Sequence, residues 1–169
     1  MARCLIIGCG CRGRALAREM VARGHVVRGT TRSEAGRGAI EAAGAEAVIG
    51  DPDVVATLTR SFEHVGVACI LLGSAAGTSA QLAALHGTRL EMLLTRMLDT
   101  TVRGVVYEAA GSVDRDVLAA GAALVGSRCE DSRIPYALLR ADPADHHAWA
   151  VAATAAVHSA LAGEPVCPR

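Results

Sequence analysis

The sequence predicts a single doubly wound α/β domain, with a six-stranded parallel sheet in the order 3-2-1-4-5-6 and helices on both faces. Three observations carry this. A short, largely apolar run, Arg3-Cys4-Leu5-Ile6-Ile7, leads into Gly8-Cys9-Gly10-Cys11-Arg12-Gly13 and then into the helix-forming segment Arg14 to Met20. Val65 to Leu72 is a nearly continuous apolar stretch, as expected of a central parallel strand covered on both faces. Strand-like and helix-like segments alternate in units of roughly 28 residues, without linker, repeat or low-complexity segment.

The elements follow in order. After the first strand and helix, His25 to Thr30 reads as a second strand, and Ser33 to Ala43 as a helix capped by Ser33 and stopped by Gly44. Glu46 to Ile49 is a short third strand that ends at Gly50-Asp51-Pro52, and Asp53 to Phe62 a helix capped by Asp53. The fourth strand is Val65 to Leu72, followed by the loop Gly73-Ser74-Ala75-Ala76-Gly77. Ser79 to Asp99 then carries Leu82, Leu85, Leu90, Leu93, Leu94 and Met97 at helical spacing. Arg103 to Ala109 forms a fifth strand, Asp114 to Gly126 a helix, Tyr136 to Arg140 a sixth strand, and residues 144–162 a final Ala-rich helix.

Length and composition bound the function. At 169 residues the chain has the length of one domain, and no separate substrate domain is expected beside the nucleotide-binding one. There is no lysine, all 17 basic residues are arginine, the formal charge is zero and aromatics are 2%. Neither a basic field nor a stacking platform for nucleic acid follows from that balance, so DNA and RNA are not expected partners. Six cysteines are scattered through strands and loops, without the density of a secreted disulfide scaffold, and read as reduced thiols. No signal peptide is expected at the N-terminus, and Val65 to Gly77 falls short of a membrane span. The expectation is a cytoplasmic protein that meets no membrane.

The glycine motif carries the chemistry. Gly8 lets the chain turn sharply off its strand, Gly10 lets backbone approach a pyrophosphate, and Gly13 lets the helix pack closely on the strand. The free N–H groups and positive dipole end of the helix then face phosphate, with Cys11 and Arg12 in the same loop. Strand before and helix after turn a generic spacing into a dinucleotide-site signature. Where NAD sites carry an acidic residue about twenty positions on, this chain has Thr31, Arg32 and Ser33. A planar arginine flanked by two hydroxyls suits an adenosine 2'-phosphate, and Arg12 could approach the same group, so NADP is expected over NAD. Asp51 could reach the adenine amino group or serve only as a turn residue. Gly73 and Ser74 end the fourth strand at the topological switch point, where such sheets bind their ligands.

Gly8 to Gly13, the stretch HVVRGTTR at 25–32, the Gly50-Asp51 turn, the strand Val105 to Ala109 and IPYALLR at 134–140 together resemble the atypical short-chain dehydrogenase/reductase group, and within it the NmrA-like, NAD(P)-binding branch. The resemblance spans residues 1–142. It implies a Rossmann fold that binds NADP(H) at Gly8, Gly10, Gly13 and Arg32, in a group whose members include reductases, isomerases and regulators that bind the nucleotide without turning it over.

Catalytic members of that group use Tyr-x-x-x-Lys, and this chain cannot. Four residues beyond Tyr107 and Tyr136 stand Gly111 and Arg140, and the pair Tyr136 and Arg140 is expected within a buried strand. The remaining candidates are Glu108 at the end of the fifth strand, as general base or salt-bridge partner, Ser112, as active-site hydroxyl or helix cap, and His146, beside His147, at the start of the final helix. Adjacent histidines on a helix point about 100° apart and do not form a metal pair, so no metal is expected. Cys9-x-Cys11 reads as a redox pair or as small side chains between obligatory glycines. Two functions remain open: a reductase with a non-standard acid/base group, and a non-catalytic NADP(H)-sensing module. The apolar final helix, Trp149 to Leu161, is the candidate contact for a homodimer.

Overall fold

The computed structural model describes residues 1–163; Cys167 and the tail after Gly163 lie outside them. The described residues build a six-stranded, all-parallel sheet in the order β3-β2-β1-β4-β5-β6. Its strands are β1 (Arg3–Ile7), β2 (Val26–Thr31), β3 (Glu46–Ile49), β4 (Val67–Ile70), β5 (Gly104–Glu108) and β6 (Tyr136–Leu139). The helices are α1 (Cys11–Ala22), α2 (Arg37–Glu41), α3 (Ser79–Ala84), α4 (Leu90–Leu98), α5 (Arg115–Asp131) and α6 (His146–Ala162).

Period-two alternation in β1 divides the core into two layers. Cys4 and Ile6 join Leu16 and Met20 of α1 and Trp149 and Val157 of α6 on one face. Leu5 and Ile7 join Phe62, Leu93 and Leu94 of α4 and Val125 of α5 on the other. Every one of these side chains is buried, which explains why the central strands read as unbroken apolar runs.

Local chemistry sets the helix ends. Thr78 and Gln81 form a reciprocal capping box at α3. Asp114 caps α5 by accepting from Asp116 N and Val117 N, so the cap is Asp114 and not Ser112. Asp145 caps α6, which stops at Gly163 in the left-handed region, φ 74°.

Four expectations are corrected. The expected helix Ser33 to Ala43 is a 3-10 turn, Glu34–Gly36, followed by the short α2, and the Ser33 side chain makes no cap hydrogen bond. Two glycines, Gly36 and Gly38, weaken helix there, and Gly36 is needed because a Cβ would run into the Thr31 hydroxyl. The expected helix after Asp53 is a 3-10 segment, Val55–Phe62, rich in β-branched residues and without a side-chain cap. Asp51 is the turn former, its Oδ1 accepting from Asp53 N at 3.0 Å. The long fourth helix divides at a π-helical turn, Leu85–Arg89, that turns His86 inward. Tyr136 is only partly buried because β6 is the sheet edge, and its hydroxyl donates to Glu130 at 2.8 Å.

Residues Trp149, Ala153, Val157 and Ala160 of α6 are buried against the sheet, while Val151 and Ala155 face outward. No helix among the described residues is long and apolar enough to cross a membrane.

Candidate functional site

A groove of about 440 Å³ opens over the carboxyl ends of β1, β2 and β4, lined by the glycine loop, by Thr30 to Arg32 and by Leu71, Leu72 and Ser74 to Ala76. It sits at the switch point of strand order, between β1 and β4.

The three glycines do three different things. Gly8 has φ 80°, and a Cβ there would meet the Leu71 carbonyl at 2.5 Å and the Leu72 side chain at 2.8 Å. A Cβ on Gly13 would lie 3.2 Å from the Gly8 carbonyl and from Ile6 Cγ2, so this glycine sets how closely α1 packs on β1. Gly10 differs: it lines the groove, and a Cβ there meets nothing within 4 Å. The loop is held from β2, since Gly8 N donates to Thr30 Oγ1 and Cys9 N to the Thr30 carbonyl, each at 3.2 Å. The first-turn N–H groups of α1 beyond it have no intrahelical acceptors. The donor set fits a pyrophosphate through the first-turn amides and positive dipole end of α1, while Gly10 N itself donates to the Gly8 carbonyl at 2.8 Å.

Cys9 and Cys11 point apart. Cys9 is buried against Gly29, and burial pushes its thiol up to about 11, whereas Cys11 is exposed. The cysteines of the described residues are all free.

At the end of β2, Thr31 and Arg32 line the groove, with Ser33 and Asp51 beside it. Arg32 is half exposed and bridges to Asp51 Oδ1 and Asp53 Oδ2, each at 3.4 Å. Asp51 thus faces Arg32.

Arg12 reaches the opposite way, toward the β5 end. Its Nε and Nη2 donate to Glu108 Oε1 at 3.3 and 3.1 Å, its Nη2 also donates to Ser74 Oγ at 2.9 Å, and the guanidinium lies 5.5 Å from the Trp149 ring centroid. Glu108 is fully buried. Its Oε1 also accepts from Trp149 Nε1 at 3.1 Å and its Oε2 from Gly73 N at 2.8 Å. Of the two roles weighed for Glu108, the geometry is that of the salt bridge. Gly73 is closed against Ala110 and Gly111 and does not line the groove, whereas Ser74 does. Ser112 is exposed and donates its N–H to Ser74 Oγ at 3.4 Å. His146 and His147 are exposed at the start of α6, outside the groove lining. Among the described residues no three His, Cys, Asp or Glu side chains group to hold a metal ion.

Sequence reasoning missed the floor beneath Leu72. There the buried His86 accepts at Nδ1 from the Tyr107 hydroxyl, 2.7 Å away, and donates from Nε2 to the Leu72 carbonyl at 3.2 Å, the tautomer being assigned from this network. Thr30 was also missed, although its place one residue before Thr31 is the signal that could have found it.

Three solved structures show the same architecture. A short-chain dehydrogenase/reductase superfamily protein from Agrobacterium tumefaciens with bound NAD is 19% identical, with a TM-score of 0.67 over 82% of this chain and 48% of the other. UDP-glucose 4-epimerase of Thermotoga maritima with UDP-glucose is 12% identical, with a TM-score of 0.67 over 82% and 54%. Citrobacter triphenylmethane reductase with NADP(H) is 18% identical, with a TM-score of 0.63 over 82% and 48%. The shared architecture is the Rossmann fold. The chain spans about half the length of these three Rossmann proteins. No protein-family profile matches the sequence, and no curated protein does.

Proposed function

We propose that this Rossmann domain binds NADP(H) along the Gly8 to Gly13 loop, and that binding rather than turnover is its role. One observation carries the first half. Gly10 lines the groove at the mouth of α1, and a Cβ added there would meet no protein atom within 4 Å, which leaves room for a phosphate beside the loop. The site residues of this reading are Gly8, Gly10, Cys11, Arg12 and Gly13 on the loop, Thr31, Arg32 and Ser33 at the end of β2, and Asp51 and Ser74 around them; Gly73, outside the groove lining, is not among them. When bound, a nicotinamide cofactor would supply a hydride; the chain's residues hold and orient it.

The second half rests on the groove lining, which holds no Tyr, His, Asp or Glu able to pass a proton to a substrate. Glu108 is engaged by Arg12, Trp149 and the Gly73 amide, and Ser112 and His146 stand outside the lining. These features favour a sensing or partner-binding module over a reductase; a reducing, cytoplasmic setting is proposed from the free cysteines of the described residues. Self-association through α6 would use its outward residues Val151 and Ala155, and a monomer by light scattering at micromolar concentration removes that contact.

The choice of NADP rests on Arg32. A second reading, NAD(H), is favoured by the carboxylates of Asp51 and Asp53, which already engage that arginine. Calorimetric titration with NADPH and NADH, repeated on Arg32→Ala, separates them. The 2'-phosphate reading expects NADPH to bind at least tenfold tighter and that advantage to vanish in the variant. Equal affinities in the wild type remove it. A carbonyl-substrate panel followed at the nicotinamide absorbance tests turnover, and the binding-only reading expects no enzyme-dependent oxidation.

A further inference from the structure

We propose that the site reads only the adenosine diphosphate end of its dinucleotide, because the Arg12–Glu108 pair closes the half that would receive the nicotinamide nucleotide. The inference rests on the nucleotide-binding reading above. The ligand class it defines is ADP-ribose and its 2'-phosphate, alone or as the adenine half of NAD(P).

Doubly wound sheets bind dinucleotides across two mononucleotide halves, the second formed by the later strands. Here the groove takes its walls from β1, β2, the β3 turn and the end of β4, at Leu71, Leu72 and Ser74 to Ala76. Nothing from the carboxyl end of β5 or β6 lines it. Arg12 stands between: it leaves the glycine loop, crosses the end of β4 and meets Glu108 at the end of β5, with Ser74 Oγ and the face of Trp149 as further partners. Ser74 Oγ also accepts from Ser112 N, and Gly73 and Gly111 are in backbone contact, so the β4 and β5 loops are tied together beneath the guanidinium.

This closure resists opening for an electrostatic reason. Glu108 is 0% exposed, and Arg12 is the only cation paired with it among the described residues. A nicotinamide ring that displaced Arg12 would strand a buried carboxylate, retaining only the neutral donors Gly73 N and Trp149 Nε1. Adenosine and pyrophosphate reach their places at the β2 end and on the loop without disturbing that pair. Nicotinamide then extends beyond the groove, which agrees with a lining that has no Tyr, His, Asp or Glu facing it.

Calorimetric titration of the full chain with NADPH, 2'-phospho-ADP-ribose and nicotinamide mononucleotide tests this, with NADH and ADP-ribose run alongside in case the protein prefers the unphosphorylated series. The expected result is affinities within fivefold for each dinucleotide and its ADP-ribose counterpart, no heat from nicotinamide mononucleotide, and no enhancement of nicotinamide emission when NADPH is bound. A dinucleotide that binds more than fivefold tighter than its ADP-ribose counterpart, or an enhanced emission, overturns the closure while leaving nucleotide binding intact. Absence of binding by all the adenine nucleotides overturns the nucleotide reading itself and the closure with it.

Discussion

The Arg12 guanidinium and the Glu108 carboxylate, 96 residues apart in sequence, meet at 3.1 Å over the end of the sheet. The pair joins the glycine loop to β5, and through Trp149 to α6. The arginine side chain is 25% exposed and the glutamate fully buried, so the two partners are not equivalent. Arg12→Met leaves a buried charge without its counterion and is expected to lower unfolding free energy by about 3 kcal/mol in urea titrations. Arg12→Met/Glu108→Gln, which removes both charges, is expected to regain more than half of that loss. Additive losses in the double variant would show that the pair does not hold the loop to β5.

A pH dependence follows from His86. Burial lowers its pKa from the ordinary 6.5, opposed by the hydrogen bond to the Leu72 carbonyl. The unfolded chain then takes up the proton more readily than the folded one, so stability rises with pH in this range. The contribution of neutral His86 is fully present above about pH 6.5 and is lost as pH falls through the lower folded-state value. His25 is shifted in the same direction, by burial and by His158. The melting temperature is expected to fall between about pH 7.5 and pH 5, and to fall less steeply in His86→Gln. An unchanged slope in the variant would remove His86 as the source.

The parts of the fold legible in the sequence were those set by strong, local patterns. Six strands and their order could be read because the buried central strands are continuous apolar runs and the glycine turn marks the first crossover. Element interiors with competing signals could not be read. Residues 53–62 carry helical spacing of apolar side chains, but Val54, Val55, Thr57 and Thr59 crowd a helix, and a 3-10 segment results. The π turn at His86 depends on Tyr107, which lies in a strand 21 residues on, so no local pattern announces it. At the site, the tight turn at Gly8 and the place of Arg32 beside the groove could be read because backbone conformation and charge are properties of single residues. That Glu108 is a salt-bridge partner could be read from its place at a strand end, but not that Arg12 is the arginine it meets, since the two are 96 residues apart, and the pairing of Asp51 with Arg32 is likewise a contact across the fold.

Charge around the end of β2 gives a third prediction. Arg32 shares its cation with Asp51 and Asp53, which weakens what it can offer a 2'-phosphate. Asp51→Asn/Asp53→Asn is expected to raise NADPH affinity by about fivefold while changing NADH affinity less than twofold, with the larger effect at low ionic strength. A parallel gain for both nucleotides would mean that the two carboxylates act on something other than the 2'-phosphate.

The claim on which the account stands is that the open space at Gly10 belongs to a nucleotide phosphate. Gly10→Ala probes it: no neighbour lies within 4 Å of the added Cβ, and the cost to the fold is that of Ala in place of Gly at the N-cap of α1, roughly 0.5–1 kcal/mol. The measurement is calorimetric titration of wild type and Gly10→Ala with NADPH, beside their melting temperatures. The expected result is a melting temperature lowered by only a few degrees and an affinity lowered by about tenfold or more, as when a methyl group occupies a phosphate's place. Wild-type affinity in the folded variant would contradict the claim.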